Sequence, residues 1–151
     1  MKDHVIHGKP FTEEPLMSSI STIALSGLNA AARRLDVSAS NVANVSSYGA
    51  LPVDGAVPSG TPQAYAPLQV VQTENAAGGT RTSVTSVTPS TVVTSDPSAP
   101  FANQDGLVAA PNVDLAQEMV SQLVAKYSFA ANAKVMAADD RMTKTLIDTV
   151  A

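Results

Sequence analysis

The chain has no cysteine and no tryptophan, and only three Phe and three Tyr in 151 residues. Without cysteine it can form neither disulfides nor thiolate metal sites, in any redox compartment. Scarce aromatics leave few large side chains to fill a compact core, although Ala and the aliphatics bring the apolar fraction to 44%. Burial against partners is the expected remedy. Both histidines lie within the first seven residues, so residues 17–151 lack the usual general base as well as the most reactive nucleophile. The net charge of −4 contains no basic cluster, which removes the electrostatic footprint of a nucleic-acid binder. No apolar run approaches the roughly 20 residues needed to span a bilayer. Residues 1–16 also lack the apolar stretch of a secretory signal. These absences predict a soluble chain with no direct membrane insertion, exported, if at all, without a cleaved signal.

What is present falls into four stretches. Residues 1–16 are rich in charge and are expected to be a disordered or non-native extension; His4 and His7 alone do not make a metal site. Residues 17–50 hold a helix of about 25 residues and its terminating turn. No proline falls between Ile20 and Asn44, and Leu28, Leu35 and Val42 recur every seven residues, flanked by Leu25, Ala32 and Ala39 and by Ala24 and Ala31. Residues 51–111 hold eight of the ten prolines and five of the eight glycines, which excludes a long helix. Val/Thr-rich pieces at 63–73 and 80–94 predict short strands, with Gly78-Gly79 as a hairpin turn. Residues 112–151 return to helix. Asp114 and Gln117 predict a capping box, and Glu118 suits the positive end of the helix dipole. From Ala116 through Val120, Leu123, Tyr127, Ala131, Val135, Ala138, Met142 and Leu146, apolar residues follow at spacings of three or four.

The expected fold is therefore mainly α: long N- and C-terminal helices packed as an antiparallel coiled-coil-like pair, around a Pro/Gly/Ser/Thr-rich middle of short strands and extended loop. A two-helix hairpin buries one stripe per helix, yet both helices carry apolar or small residues beyond it. That surplus predicts an oligomer or polymer.

Chemistry finds little purchase. Asp139 and Asp140 are adjacent, so they diverge on a helix rather than converge as an acid/base pair, and a solvated face beside Arg141 and Lys144 accounts for both. Asn103, Asp105 and Gly106 read as a turn, lacking the bidentate Glu of a calcium loop. Gly78-Gly79 precedes no helix that could hold a phosphate. The expectation is no catalytic site, no cofactor and no metal.

The segment SNVANVSSYG puts Asn41 and Asn44 on one face of the last helical turn, where carbonyls lack intrahelical donors. Two uses are open: bonds to those carbonyls, or bonds to a neighbouring subunit.

These residues resemble the flagellar basal-body rod and hook protein family. Ser40, Asn41, Val42, Ala43, Asn44 and Gly49 match its N-terminal signature, and Val45-Ser46-Ser47 and Ala50-Leu51-Pro52 depart from it. Near the other end, Asn112-Val113-Asp114, Glu118-Met119 and Tyr127-x-Phe129-x-Ala131-Asn132 match its C-terminal helix. YAPLQVV, GGTRTSV and SDPSAPFANQDG follow in the family's order, so the likeness spans about 18–150. It implies a structural subunit of the proximal rod that assembles through its terminal helices and leaves the cytoplasm by type III export. The partners it implies are other rod subunits and further copies of itself, with the surrounding ring and the export gate as additional candidates. The assembly interface expected on this basis comprises Leu28, Leu35, Asn41, Val42, Asn44, Gly49, Asn112, Val113, Asp114, Glu118, Met119, Leu123, Tyr127, Phe129, Asn132, Met142 and Leu146. Two alternatives stay open on sequence: a sister rod subunit, and a helical adaptor or chaperone module of a secretion system.

Overall fold

The computed structural model describes residues 16–150, with side chains described over 20–149. Residues 1–15, with His4 and His7, lie outside the described residues. Two long helices frame the molecule: α1, Leu16–Ala43, and α2, Leu115–Val150. Between them come β1, Leu68–Glu74, β2, Thr80–Ser86, β3, Thr91–Ser95, and β4, Leu107–Pro111. Long helices make up the two ends, so "mainly α" describes those alone, and the middle is a β lobe of two antiparallel hairpins.

The helices pair antiparallel. Ser21 of α1 donates to Asp139 Oδ2 of α2, Gly27 faces Asn132, and Ser38 Oγ donates to the Glu118 carbonyl at 3.1 Å. The line of α1 sunk in this seam is Ala24, Ala31 and Ser38, and that of α2 is Glu118, Ala125, Asn132 and Asp139, each at heptad spacing. Small side chains let the two backbones approach. At Gly27 a Cβ would stand 2.6 Å from Asn132 Cγ, so only glycine leaves room for that amide, which turns back to donate to Ser128 O at 2.8 Å. The heptad line of Leu28, Leu35 and Val42 is thus displaced to the margin, with Leu35 exposed.

The β1–β2 hairpin lies along a second face of α1. Its tip carries Gly78 and Gly79 at φ 89° and 82°, a left-handed conformation that glycine adopts without Cβ strain. Thr80 N–H donates to Ser26 Oγ at 3.0 Å, and Arg34 Nη2 donates to Gln72 Oε1 at 3.2 Å. The sequence expectation of a strand over 80–94 is corrected here: Pro89 can give no ladder hydrogen bond, and the chain breaks at Val87–Ser90 into β2 and β3. The piece at 63–67 is likewise not strand; it crosses over Gly49, where a Cβ would sit 2.7 Å from Pro62 O. Strand β4, in a stretch for which the sequence predicts no strand, is the most deeply buried strand. It pairs with β3 on one edge and bridges Gly49 through Ala109 on the other, and Val108 is fully enclosed.

Where α1 ends, the Asn41 side chain is 1% exposed and uses its full hydrogen-bonding capacity. Its Nδ2 donates to Leu68 O at 2.8 Å and to Glu118 Oε1 at 2.6 Å. Its Oδ1 accepts from Leu68 N–H at 3.0 Å and Tyr65 Oη–H at 3.1 Å. One amide thus joins α1, the start of β1 and the first turn of α2. Asn44 does the more local job: Nδ2 donates to the Ser40 carbonyl at 2.9 Å, closing the last turn. Helix α2 starts at Asp114, whose Oδ1 accepts from Ala116 N–H at 2.9 Å and Gln117 N–H at 3.1 Å, the acceptor half of the expected box.

Replacing Asn41 by Ala leaves a backbone donor and acceptor, a hydroxyl and a carboxylate short of a partner, so it should cost about 3 kcal/mol or more in urea unfolding. Asn44→Ala, which loses the bond to Ser40 O and the longer one that Oδ1 accepts from Ser47 Oγ–H at 3.3 Å, both near the surface, should cost about 1 kcal/mol. Gly49→Ala should cost about 1–3 kcal/mol by the same measurement, through the clash with 62–64. Equal losses for Asn41→Ala and Asn44→Ala would contradict the bonding described.

Candidate assembly surface

The seam between the helices is made of Ala, Ser, Gly, Asn and Asp, and the large apolar residues of α2 face elsewhere. Met119, Leu123 and Tyr127 follow its back near the cap, and Met142 and Leu146 stand toward its far end; all are half or more exposed, Tyr127 at 69%. Val120, Val124 and Val135 continue the same surface, and Phe129 stands exposed on the flank. Spacings of three and four place Met119, Val120, Leu123, Val124 and Tyr127 on one broad side of α2, whereas Met142 and Leu146, three and seven residues after Asp139, continue the seam side where it is exposed. The sequence periodicity is real, but over the first half of α2 the stripe it marks is the outer face, and the inner face there is the quieter line of small residues beside it.

On α1 the face around Ser26, Arg34 and Asn41 is covered by the β1–β2 hairpin. Leu25 and Leu35 lie on the opposite flank and are about half exposed. Leu35 joins Met119, Gln122, Leu123 and Lys126 in an open groove of about 490 Å³ where the two helices meet. Under the β lobe a smaller cavity of about 320 Å³ is lined by Arg34, Val37, Leu68, Asn112, Gln117 and Ser121, among others. Its walls are helix, strand and cap residues already engaged in the fold, and they include no nucleophile beside a general base. Among the described residues no cluster of three or more His, Asp or Glu side chains could hold a metal.

The expected interface residues therefore separate into two groups. Outward and available are Leu35, Met119, Leu123, Tyr127, Phe129, Met142 and Leu146. Turned into the chain are Asn41, Asn44, Gly49, Asp114, Glu118 and Asn132, by the contacts given above. Asn112 belongs with them, since its Nδ2 donates to Pro89 O at 2.9 Å and its N–H to Ser90 O at 3.0 Å, holding the link between β2 and β3. Leu28, Val42 and Val113 are half-buried at the edges of the seam and the lobe. Sequence reasoning missed Leu25, Val120, Val124, Val135 and Ile147 as outward residues, although the same periodicity carries the valines. The expected solvated pair Asp139–Asp140 is corrected: the two do diverge, but Asp139 is 3% exposed in the seam and Asp140 alone faces solvent.

No helix among the described residues is long and apolar enough to cross a membrane, so the outward stripe is not a spanning segment. Residues 22–50 match the family described as "Flagella basal body rod protein", and residues 104–149 match "Flagellar basal body rod FlgEFG protein C-terminal". The two matches cover α1 with its terminating turn, and β4 with α2. Over 136 residues the chain is 39% identical to the flagellar basal-body rod protein FlgC of Escherichia coli O6:H1 and to that of Salmonella typhimurium, and 38% identical to that of Yersinia enterocolitica. Each of these likenesses covers 85% of this chain and 94% of the relative. At that identity over most of both chains, this chain belongs to the flagellar basal-body rod protein FlgC family.

Proposed function

We propose that the chain is a non-catalytic structural subunit of the proximal part of the flagellar rod, packed there against other rod subunits and further copies of itself. The observation that carries this reading is the inverted use of side chains in the helix pair: small and polar residues hold the two helices together, and large apolar residues face outward. An isolated hairpin gains nothing from that arrangement. A subunit surrounded by other helices buries the outward stripe, and each Leu, Met or Phe so covered contributes about 1 kcal/mol or more. The β lobe, carried at the paired end of the helices, is the part left to contact adjoining rod proteins, the surrounding ring or the export gate. On this reading the protein works where the rod crosses the periplasm, exported without a cleaved signal peptide, and transmits torque through packed helices.

Leu123→Asp and Tyr127→Asp place charges on the outward face. Both residues are more than half exposed, so unfolding of the isolated subunit should shift by only about 1–1.5 kcal/mol, for the covered part of the side chain and the poorer helix propensity of Asp. Cells carrying either variant as the sole copy should lose rods in electron micrographs and lose swimming, with the subunit still present. Normal rods in both variants would remove this face from assembly. A strongly destabilised subunit would show instead that the face is part of the monomer's own fold.

A further inference from the structure

The polar groups of the helix seam are satisfied at one end, and at the other a single buried oxygen is left unmatched. Near the β lobe, Asn41 uses every donor and acceptor it has, and Ser38 is bonded to the Glu118 carbonyl. Midway, Asn132 fits the space left by Gly27 and is bonded to Ser128 O. Toward the free ends stands Asp139, 3% exposed. Its Oδ2 accepts from Ser21 Oγ–H, but its Oδ1 is shut off from water and meets no donor. The basic residue nearest in sequence does not compensate, because Arg141 Nε donates to Ala137 O at 3.0 Å, along its own helix. Lys144 and Asp140 face outward.

A buried carboxylate with one oxygen unmatched opposes closure of whatever encloses it, because opening returns that oxygen to water. Here the enclosure includes the contact of α1 at Ser21 with the last third of α2. We infer that Asp139 is a built-in release point, which lets the free-ended half of the helix pair open separately from the half pinned at Asn41. The subunit then has a fixed root and a separable tip. Opening at the tip frees the inner faces of both helices as well as the outer ones. The use of that freedom in assembly rests on the rod-subunit reading; the opening itself does not.

Hydrogen exchange of the full chain, free in solution, tests this. Amides of α2 beyond residue 130 should exchange at least about tenfold faster than those of residues 38–44 and 107–111. Asp139→Asn keeps the shape and the acceptor for Ser21 while removing the charge. The pair Ser21→Ala with Asp139→Ala removes both polar partners, which is the arrangement least costly to bury. Each should slow exchange beyond residue 130 by about tenfold and leave residues 38–44 and 107–111 unchanged. Equal exchange along the helix pair in the unmodified chain would overturn the inference, as would both variants leaving the tip unchanged or faster. If instead the Leu123→Asp and Tyr127→Asp subunits still build rods, the rod reading is lost while the exchange result stands.

Discussion

The molecule depends on one buried amide. Placing Asn41 at the end of α1 with almost no exposure demands two acceptors and two donors in a fixed geometry, and the fold provides them from three different elements. Leu68 offers both backbone groups, which fixes where β1 begins and hence how the β1–β2 hairpin lies along α1. Glu118 offers its carboxylate one turn into α2, and its own carbonyl takes the Ser38 hydroxyl, so the slide of α2 along α1 is set at that point. From there heptad spacing carries the register downward through Ala125, Asn132 and Asp139.

A register fixed by polar groups frees the apolar residues from that task. In an ordinary two-helix hairpin the large aliphatic stripes must face each other, because nothing else holds the pair together. In this chain Ala24, Ala31 and Ala125 sit in the seam with Ser38, Asn132 and Asp139. Alanine contributes little transfer free energy, but its size permits the close approach that the side chain–backbone bonds require. Met119, Leu123, Tyr127 and Met142 are then left half or more exposed. Packing against other rod subunits is the use proposed for that exposed face.

Much of this was legible in the sequence wherever the signal is local. The Gly78-Gly79 turn, the Asp114 cap, the end of α1 near Asn44 and the two helices all follow from residue types acting on their immediate neighbours. Which helical face is the inner one was not legible. Hydrophobicity marks the strongest stripe, and here the strongest stripe is the outer one, whereas a seam of Ala, Ser, Gly and Asn carries almost no periodic contrast. Strand β4 escaped because five residues ending at Pro111 look like connector, and its burial comes from β3 and Gly49, far away in sequence. The partners of Asn41 lie 24 to 77 residues away, so the sequence could show that an amide stood at the helix end but not that it was spoken for. Asp139 was read as solvated because charged residues are almost never buried without a partner. That rule fails here at one oxygen, the kind of local inconsistency expected where a structure has a second state.

The split between polar seam and apolar exterior also orders the energetics of joining a larger structure. Closing the seam yields a few side-chain hydrogen bonds, each with a net contribution of about 1 kcal/mol, and the burial of small side chains. Covering the outward stripe would bury the remaining half of at least seven large residues, at about 1 kcal/mol each. The seam therefore supplies geometry and the exterior supplies affinity. A helix pair of this kind is specific before it is stable: the root holds the correct register while the tip is weakly closed, and most of the free energy becomes available only when other helices arrive. The same arithmetic explains why the tolerance for a defect lies at the tip. An unmatched carboxylate at Asn41's end would misplace β1, the hairpin and α2 together, whereas at Asp139 it loosens only the contact that neighbouring helices are in a position to replace.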